Sequence, residues 1–229
     1  MPPLSKITSK SVKENYSQLL CEIGKRFAFI EANSVEQINL CKELRHKIYC
    51  EEFKWEPETT SGLEITRHDE LARHYLMFDR TEGEFIGTFR IILGADLPIG
   101  KLLGEDHILH PARINNYSSN GEVSRFSLLR KYRNTGITPA LILFAGYTVS
   151  SMGLHGAYMV MEKRLAKFIT SIGVSARRLT EDMQLNGVRA VYYISSADAL
   201  TPIAKDVGWN NEALNKTFEA FHLKRDITA

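Results

Sequence analysis

Residues 130–139, Arg-Lys-Tyr-Arg-Asn-Thr-Gly-Ile-Thr-Pro, are the stretch best suited to hold an anion. Arg130, Lys131 and Arg133 supply charge, and Gly136 allows close backbone approach. Thr138-Pro139 predicts a helix start, with Thr138 as N-cap and Pro139 at the first helical position. A helix N-terminus offers unpaired N–H groups and about half a positive charge, which suits a phosphate. The loop lacks the Gly-Lys-Ser/Thr of a Walker A motif and is not a dinucleotide G-x-G-x-x-G. Two readings stay open from these residues: a phosphate cradle, or a solvated basic turn.

A second set is spread more widely: Arg45, Tyr49, Trp55, Asp69, Arg90, Glu122 and Arg125. Arg45 and Tyr49 are one helical turn apart and share a face. In a strand over 122–129, Glu122, Ser124 and Phe126 would share one face, with Val123 and Arg125 on the other. Glu122 and Ser124 could then look into one cleft. A carboxylate there can take a proton from an attacking group, directly or through a water. The alternative is a structural Glu122 paired with a neighbouring arginine. Other chemistries fare worse. His68 and His74 flank Asp69, but their spacing of six without a nearby Cys is not metal-ligand spacing, so no metal site is expected. Cys50 has no nucleophile signature, and Ser124 lies in no G-x-S-x-G elbow.

The 229 residues carry 29 Lys+Arg against 27 Asp+Glu, with seven His and a formal charge of +2. That balance gives no whole-chain case for nucleic-acid binding. The hydrophobic fraction of 44% is that of a globular chain. Cys21, Cys41 and Cys50 form no disulfide framework and fit a reducing, cytoplasmic setting. The first twenty residues contain no signal-peptide core. The longest apolar stretch, Ile137–Val149, falls short of the ~20 residues of a spanning helix, so no transmembrane segment is expected.

The elements that must position these residues follow from periodicity. Residues 1–10 read as a loose tail, and 11–229 as one domain. A short amphipathic helix over 11–25 leads into a strand, 26–32. Ser34 and Gln37 form a capping-box signature for a helix to about Phe53. Segments 74–80 and 84–93 flank Thr81-Glu82-Gly83 as an antiparallel hairpin. A short helix is expected near Lys101–Leu109, then a strand at 122–129 and a buried helix at 139–152. Strand 155–161, a helix ending at Gly173, strand 188–195 and a helix at 199–207 follow, with a last strand at 218–225. The strands before and after helix 139–152 should be parallel, because a helical crossover joins them.

Arg133-Asn-Thr-Gly136-Ile137-Thr138 is similar to the Arg/Gln-x-x-Gly-x-Gly/Ala loop of the GNAT acyltransferases, where it holds the pyrophosphate or phosphopantetheine of the donor. Thr138 stands where a smaller residue is usual. Arg45-x-x-x-Tyr49-x-x-x-x-x-Trp55, Asp69, Gly87-Thr-Phe-Arg90 and Glu122-Val-Ser-Arg125-Phe126 resemble the acyl-homoserine-lactone (autoinducer) synthases. They resemble the long-chain N-acyl amino acid synthases as strongly. The stretch from Ile48-Tyr-Cys-Glu-Glu-Phe through Gly62-Leu-Glu to Asp69 also looks like the acyltransferases associated with exosortase (PEP-CTERM) systems. The resemblance spans about residues 37–173.

It implies a GNAT-like α/β fold with a mixed, mostly antiparallel, twisted sheet flanked by helices. It implies transfer of a fatty acyl chain from acyl carrier protein or acyl-CoA to a small amine, with no tightly bound cofactor. Glu122 and Ser124 would be catalytic. Arg45, Tyr49, Trp55, Asp69, Arg90 and Arg125 would hold the acceptor, Arg125 pairing with Asp69 or another loop acid and Arg90 doing likewise or gripping an acceptor carboxylate. Phe126, Arg130, Lys131, Arg133, Gly136, Ile137 and Thr138 would hold the donor. The lactone synthases usually carry a second acid three positions before Asp69. Thr66 stands there, which favours an amino acid over S-adenosylmethionine as acceptor. A basic patch of Arg130, Lys131, Arg133, Lys163, Arg164 and Lys167 would steer an acidic carrier protein. A catalytically silent acyl-thioester sensor is the rival from another class.

Overall fold

The computed structural model describes residues 16–94, 97–104, 119–133 and 135–221. The expected tail at 1–10, the first residues of the expected 11–25 helix and the second half of the Lys101–Leu109 helix lie outside them. Helix α1 (Tyr16–Arg26) leads into β1 (Phe27–Glu31). Helix α2 (Val35–Arg45) starts as the capping box predicts, with Ser34 Oγ accepting the Gln37 N–H. It continues as a π-helical turn, His46–Glu52, closed by a Phe53 N–H to Ile48 C=O bond. Strands β2 (Ala72–Asp79) and β3 (Glu84–Ile92) form the expected hairpin.

A short helix α3 (Gly100–Leu103) precedes β4 (Asn120–Leu128). Then come α4 (Ile137–Ser151), β5 (Gly156–Glu162), α5 (Lys163–Ser171), the two-residue strands β6 (Arg177–Arg178) and β7 (Met183–Gln184), β8 (Val188–Ser195), α6 (Ser196–Val207) and α7 (Asn211–Glu219). The eight strands make one sheet in the order β1-β2-β3-β4-β5-β8-β6, with β7 also on β8. β4 and β5 are parallel, as the crossover through α4 requires, and the other neighbours are antiparallel. Among the described residues no helix is long and apolar enough to cross a membrane.

The expected strand at 218–225 is wrong over its described part. Leu214, Phe218 and Phe221 recur at helical spacing and are buried, and Asn210 caps the helix by accepting from the N–H groups of Glu212 and Ala213. Phe218 stacks on Tyr147 of α4, so the segment buries its aromatic residues from a helix and not from a strand.

The main core lies between the sheet and α1, α4, α6 and α7, with Phe29, Phe89, Phe144, Met159 and Phe218 among its members. Full burial of each such side chain contributes roughly 1.5–3 kcal/mol. On the opposite face, α2 packs Cys41 and Leu44 on Leu76. Farther along that face Ile92, Tyr158 and Val191 lie under Leu97, Ile99 and Leu103.

Candidate active site

Seven charged or polar residues converge where α2 meets the sheet. Arg45 is almost wholly buried and forks onto Asp69, Nη1 and Nη2 each 2.9 Å from a carboxylate oxygen. Its Nε lies 2.6 Å from Glu64 Oε2, close enough to pair charges but off the line of a hydrogen bond. Arg90 Nη1 donates to the same Asp69 at 2.6 Å, and its Nε donates to Ser124 Oγ at 3.2 Å. Arg125 joins Glu64 at 2.8 Å and Glu56 at 3.0 Å. Burial alone would raise the Asp69 carboxyl. The Arg45 fork, the Thr66 N–H and the Arg90 charge outweigh it and hold the group far below the usual carboxylate range.

The structure thus brings Arg45, Asp69, Arg90 and Arg125 together. The expected pairing of Arg125 falls on the loop acids Glu56 and Glu64, while Arg45 and Arg90 take Asp69. Tyr49 lies beneath this cluster. Its OH donates to the Phe126 carbonyl at 2.9 Å, Arg125 sits 5.3 Å from its ring, and Trp55 packs 5.4 Å away.

Strand β4 departs from simple alternation. Arg90 faces Ser124 and Thr88 faces Ser127, so Arg125 and Phe126 together oppose Phe89 in a β-bulge. Arg125 takes a left-handed φ of 56° there. The extra residue corrects two expectations. Arg125 does not point away from the Glu122 side; it reaches the ion cluster. Phe126 does not share the Glu122 face; it stacks on Phe89 in the main core at 5.4 Å.

Glu122 is 5% exposed and lies between Ile92 of β3 and Tyr158 of β5 in register. Its carboxylate accepts the Ile99 N–H at 2.8 Å and forms no ion pair among the described residues. Burial pushes its pKa up to about 7, against the opposing pull of the Ile99 N–H and the more distant Arg90 and Arg125 charges. A carboxyl poised there can release or take a proton at neutral pH.

Among the described residues the β4–β5 ladder has three pairs, ending at Glu122 and Tyr158. Beyond them the strands part, and a cleft of about 230 Å³ fills the gap. Phe126, Leu128, Leu141, Ile142, Met159 and Leu165 form its apolar wall, with Trp55, Arg133 and Thr138 at other points of the rim. A narrow apolar slot of about 30 Å³ shares Phe126, Ile142 and Met159 with it. A larger hollow of about 670 Å³, over Phe29, Tyr75 and the second half of α4, involves none of the predicted site residues.

The basic loop is anchored by Tyr132, whose OH donates to Asp79 and Glu84. Helix α4 begins two residues before the expected Pro139. Gly136 takes the N-cap position, not Thr138, at a φ of 81° that favours glycine. Ile137 is buried and Thr138 half-buried. Arg133 donates Nε to the Leu128 carbonyl at 2.7 Å and forks onto Glu52 at 2.6 and 2.8 Å, with Phe53 4.7 Å from its guanidinium. Lys131 pairs with Glu84, and Arg130 is exposed.

Four participants escaped the sequence reading: Glu52, Glu56, Glu64 and Ile99. The carboxylates had a weak signal, since a buried cluster of arginines needs matching acids. Ile99 contributes only its backbone and had none.

Residues 44–142 match the family model described as "Acetyltransferase (GNAT) domain". That span holds every predicted site residue. A curated acyl-homoserine-lactone synthase of Vibrio anguillarum is 30% identical over 64 residues, 28% of this chain and 33% of that protein, so the match spans about a third of the relative. Two solved structures show the fold. A CoA-dependent acyl-homoserine lactone synthase, BjaI, aligns with a TM-score of 0.62 at 16% identity, over 84% of this chain and 98% of that one. FeeM, an N-acyl amino acid synthase from uncultured soil microbes, aligns with a TM-score of 0.58 at 11% identity, over 81% and 99%. The bulged β4 and the glycine-capped start of α4 thus lie within the span that matches the GNAT acetyltransferase model, and the chain has the fold that lactone synthases and an N-acyl amino acid synthase also adopt.

Proposed function

We propose that this protein is an N-acyltransferase that moves a fatty acyl chain from an acyl carrier protein or acyl-CoA thioester to the amine of an amino acid. The observation that carries the reading is Glu122, a buried carboxyl that forms no ion pair among the described residues, at the fork where β4 and β5 part into an apolar cleft. The thioester arm enters past Arg130, Lys131, Arg133, Gly136, Ile137 and Thr138, and the acyl chain lies along Phe126. The amine attacks the thioester carbonyl, the C–N bond forms, and the C–S bond breaks to release the thiolate. Glu122 takes the amine proton directly or through a water, with Ser124 beside it. Arg45, Asp69, Arg90 and Arg125, with Tyr49 and Trp55, form the acceptor side.

The charge balance favours an amino acid over S-adenosylmethionine. Three arginines, Arg45, Arg90 and Arg125, meet three carboxylates, Glu56, Glu64 and Asp69, and Thr66 adds a hydroxyl to Arg90 where an acid would add charge. Among the described residues each carboxylate of the cluster already faces an arginine. Arg90 is held by Asp69, Thr66 and Ser124, so a free fork for an acceptor carboxylate is not its resting arrangement.

The test is purified protein with one acyl donor and, separately, amino acids or S-adenosylmethionine, read by mass spectrometry. Acylated amino acid supports the reading. Lactone alone overturns the choice of acceptor. Donor binding without product from either acceptor favours the silent sensor.

A further inference from the structure

We propose that Glu52 makes the donor loop selective for a thioester arm bearing a single phosphate, that of a carrier protein, over coenzyme A with its three. The proposal rests on the acyl-thioester reading above and goes beyond it by naming the donor. The loop holds three cations, and two are already neutralised. Arg133 is held by both oxygens of Glu52 and by the Leu128 carbonyl, and its face is against Phe53. Lys131 is held by Glu84. Arg130 is the remaining charge in the loop.

A phosphate that uses the Arg133 fork must displace Glu52 or lie beside it. A phosphodiester brings one negative charge to that contest. Coenzyme A brings a pyrophosphate and a further phosphate, so the same fixed carboxylate repels it more. Carrier protein has a second source of attraction that coenzyme A lacks. Helix α5 places Leu165 in the cleft wall and leaves Lys163, Arg164 and Lys167 exposed, cations that an acidic protein surface can meet. The Arg133–Glu52 pair is itself partly exposed, 26% and 30%, so its influence is screened by salt.

Binding is measured by calorimetry with two probes, coenzyme A and holo acyl carrier protein, on the full chain carrying Glu52→Gln, Glu52→Ala or the distant surface control Glu181→Gln. Melting curves establish that each variant is folded, and the alanine variant serves if the glutamine one is not. Removing the Glu52 charge should tighten coenzyme A by roughly 3- to 10-fold at low ionic strength and carrier protein by clearly less, with the gap closing as salt rises. Glu181→Gln should change neither. Unchanged or weaker coenzyme A binding, or an equal gain for both probes, overturns the proposal. These readings need no turnover. Absence of acylated product would therefore count against the enzymatic reading and leave the charge selection to be decided by the affinities.

Discussion

Asp69 and Glu122 are carboxylates buried to a similar depth, 9% and 5% exposed, over the same face of one sheet. Asp69 meets two guanidinium groups and a backbone N–H and stays ionised. Among the described residues Glu122 accepts one backbone N–H, and burial raises its pKa to about 7. Burial penalises both charges; the partners decide the outcome. One acid is therefore fixed as a counter-ion, while the other can change its charge near neutrality. A site needs both: rigid charge to hold geometry, and a labile proton to do work.

The largest way to break this contrast is Glu122→Gln, which keeps size and hydrogen bonding but removes the base. The acyl-transfer rate at neutral pH should fall on the order of 10²–10⁴-fold. The wild-type rate should rise with pH through an apparent pKa near 7, and that limb should be missing in the variant. Its defect should shrink as pH approaches the amine's own pKa. Steady-state kinetics across pH checks all three.

Next comes Asp69→Asn, which strands Arg45 and Arg90 without their shared counter-ion. The loss should be about 3–5 kcal/mol in denaturant unfolding, nearly independent of pH between 6 and 8. A loss below roughly 1 kcal/mol would show that the cluster does not depend on this acid.

The same Glu122→Gln variant sharpens the comparison from the stability side. The folded pKa lies above the ordinary 4.5, so the native state binds more protons between the two values. Wild-type stability should decline as pH rises from about 4.5 to 7 and then level off. Above pH 7 the variant should be the more stable protein, by up to about 3 kcal/mol, with the advantage vanishing near pH 4. Chemical unfolding at several pH values decides it.

The smallest effect is expected at the exposed cations. Reversing Lys163 and Arg164 to Glu should weaken the carrier-protein donor several-fold, leave acyl-CoA nearly unchanged, and lose its effect at high salt. Equal loss with both donors would count against a docking role.

Much of this was legible in the sequence. Ser34 and Gln37, the Thr81-Glu82-Gly83 turn and the crossover through the apolar α4 announced the elements, because local chemistry and burial agree there. The bulge was not legible. Arg125 at a left-handed φ looks like any strand residue in a string of letters, and that single insertion inverted the faces assigned to Arg125 and Phe126. The α4 start was misplaced because Thr138-Pro139 is a strong local signal, yet Gly136 already supplies the backbone turn. Glu56 and Glu64 reach Arg125 from 69 and 61 residues away, and no spacing rule connects such distances.

The parting of β4 from β5 gives the sheet a third edge, in its interior. An exposed strand edge invites a stray strand to pair with it, and proteins blunt such edges. Here two side chains serve as stoppers. Tyr49 occupies the Phe126 carbonyl and Arg133 the Leu128 carbonyl, two residues apart on β4 and so turned the same way, while the intervening Ser127 carbonyl approaches Gly87 of β3. With these acceptors taken, a passing peptide finds no continuous ladder to extend. Losing either side chain would free a carbonyl on the parted edge of β4.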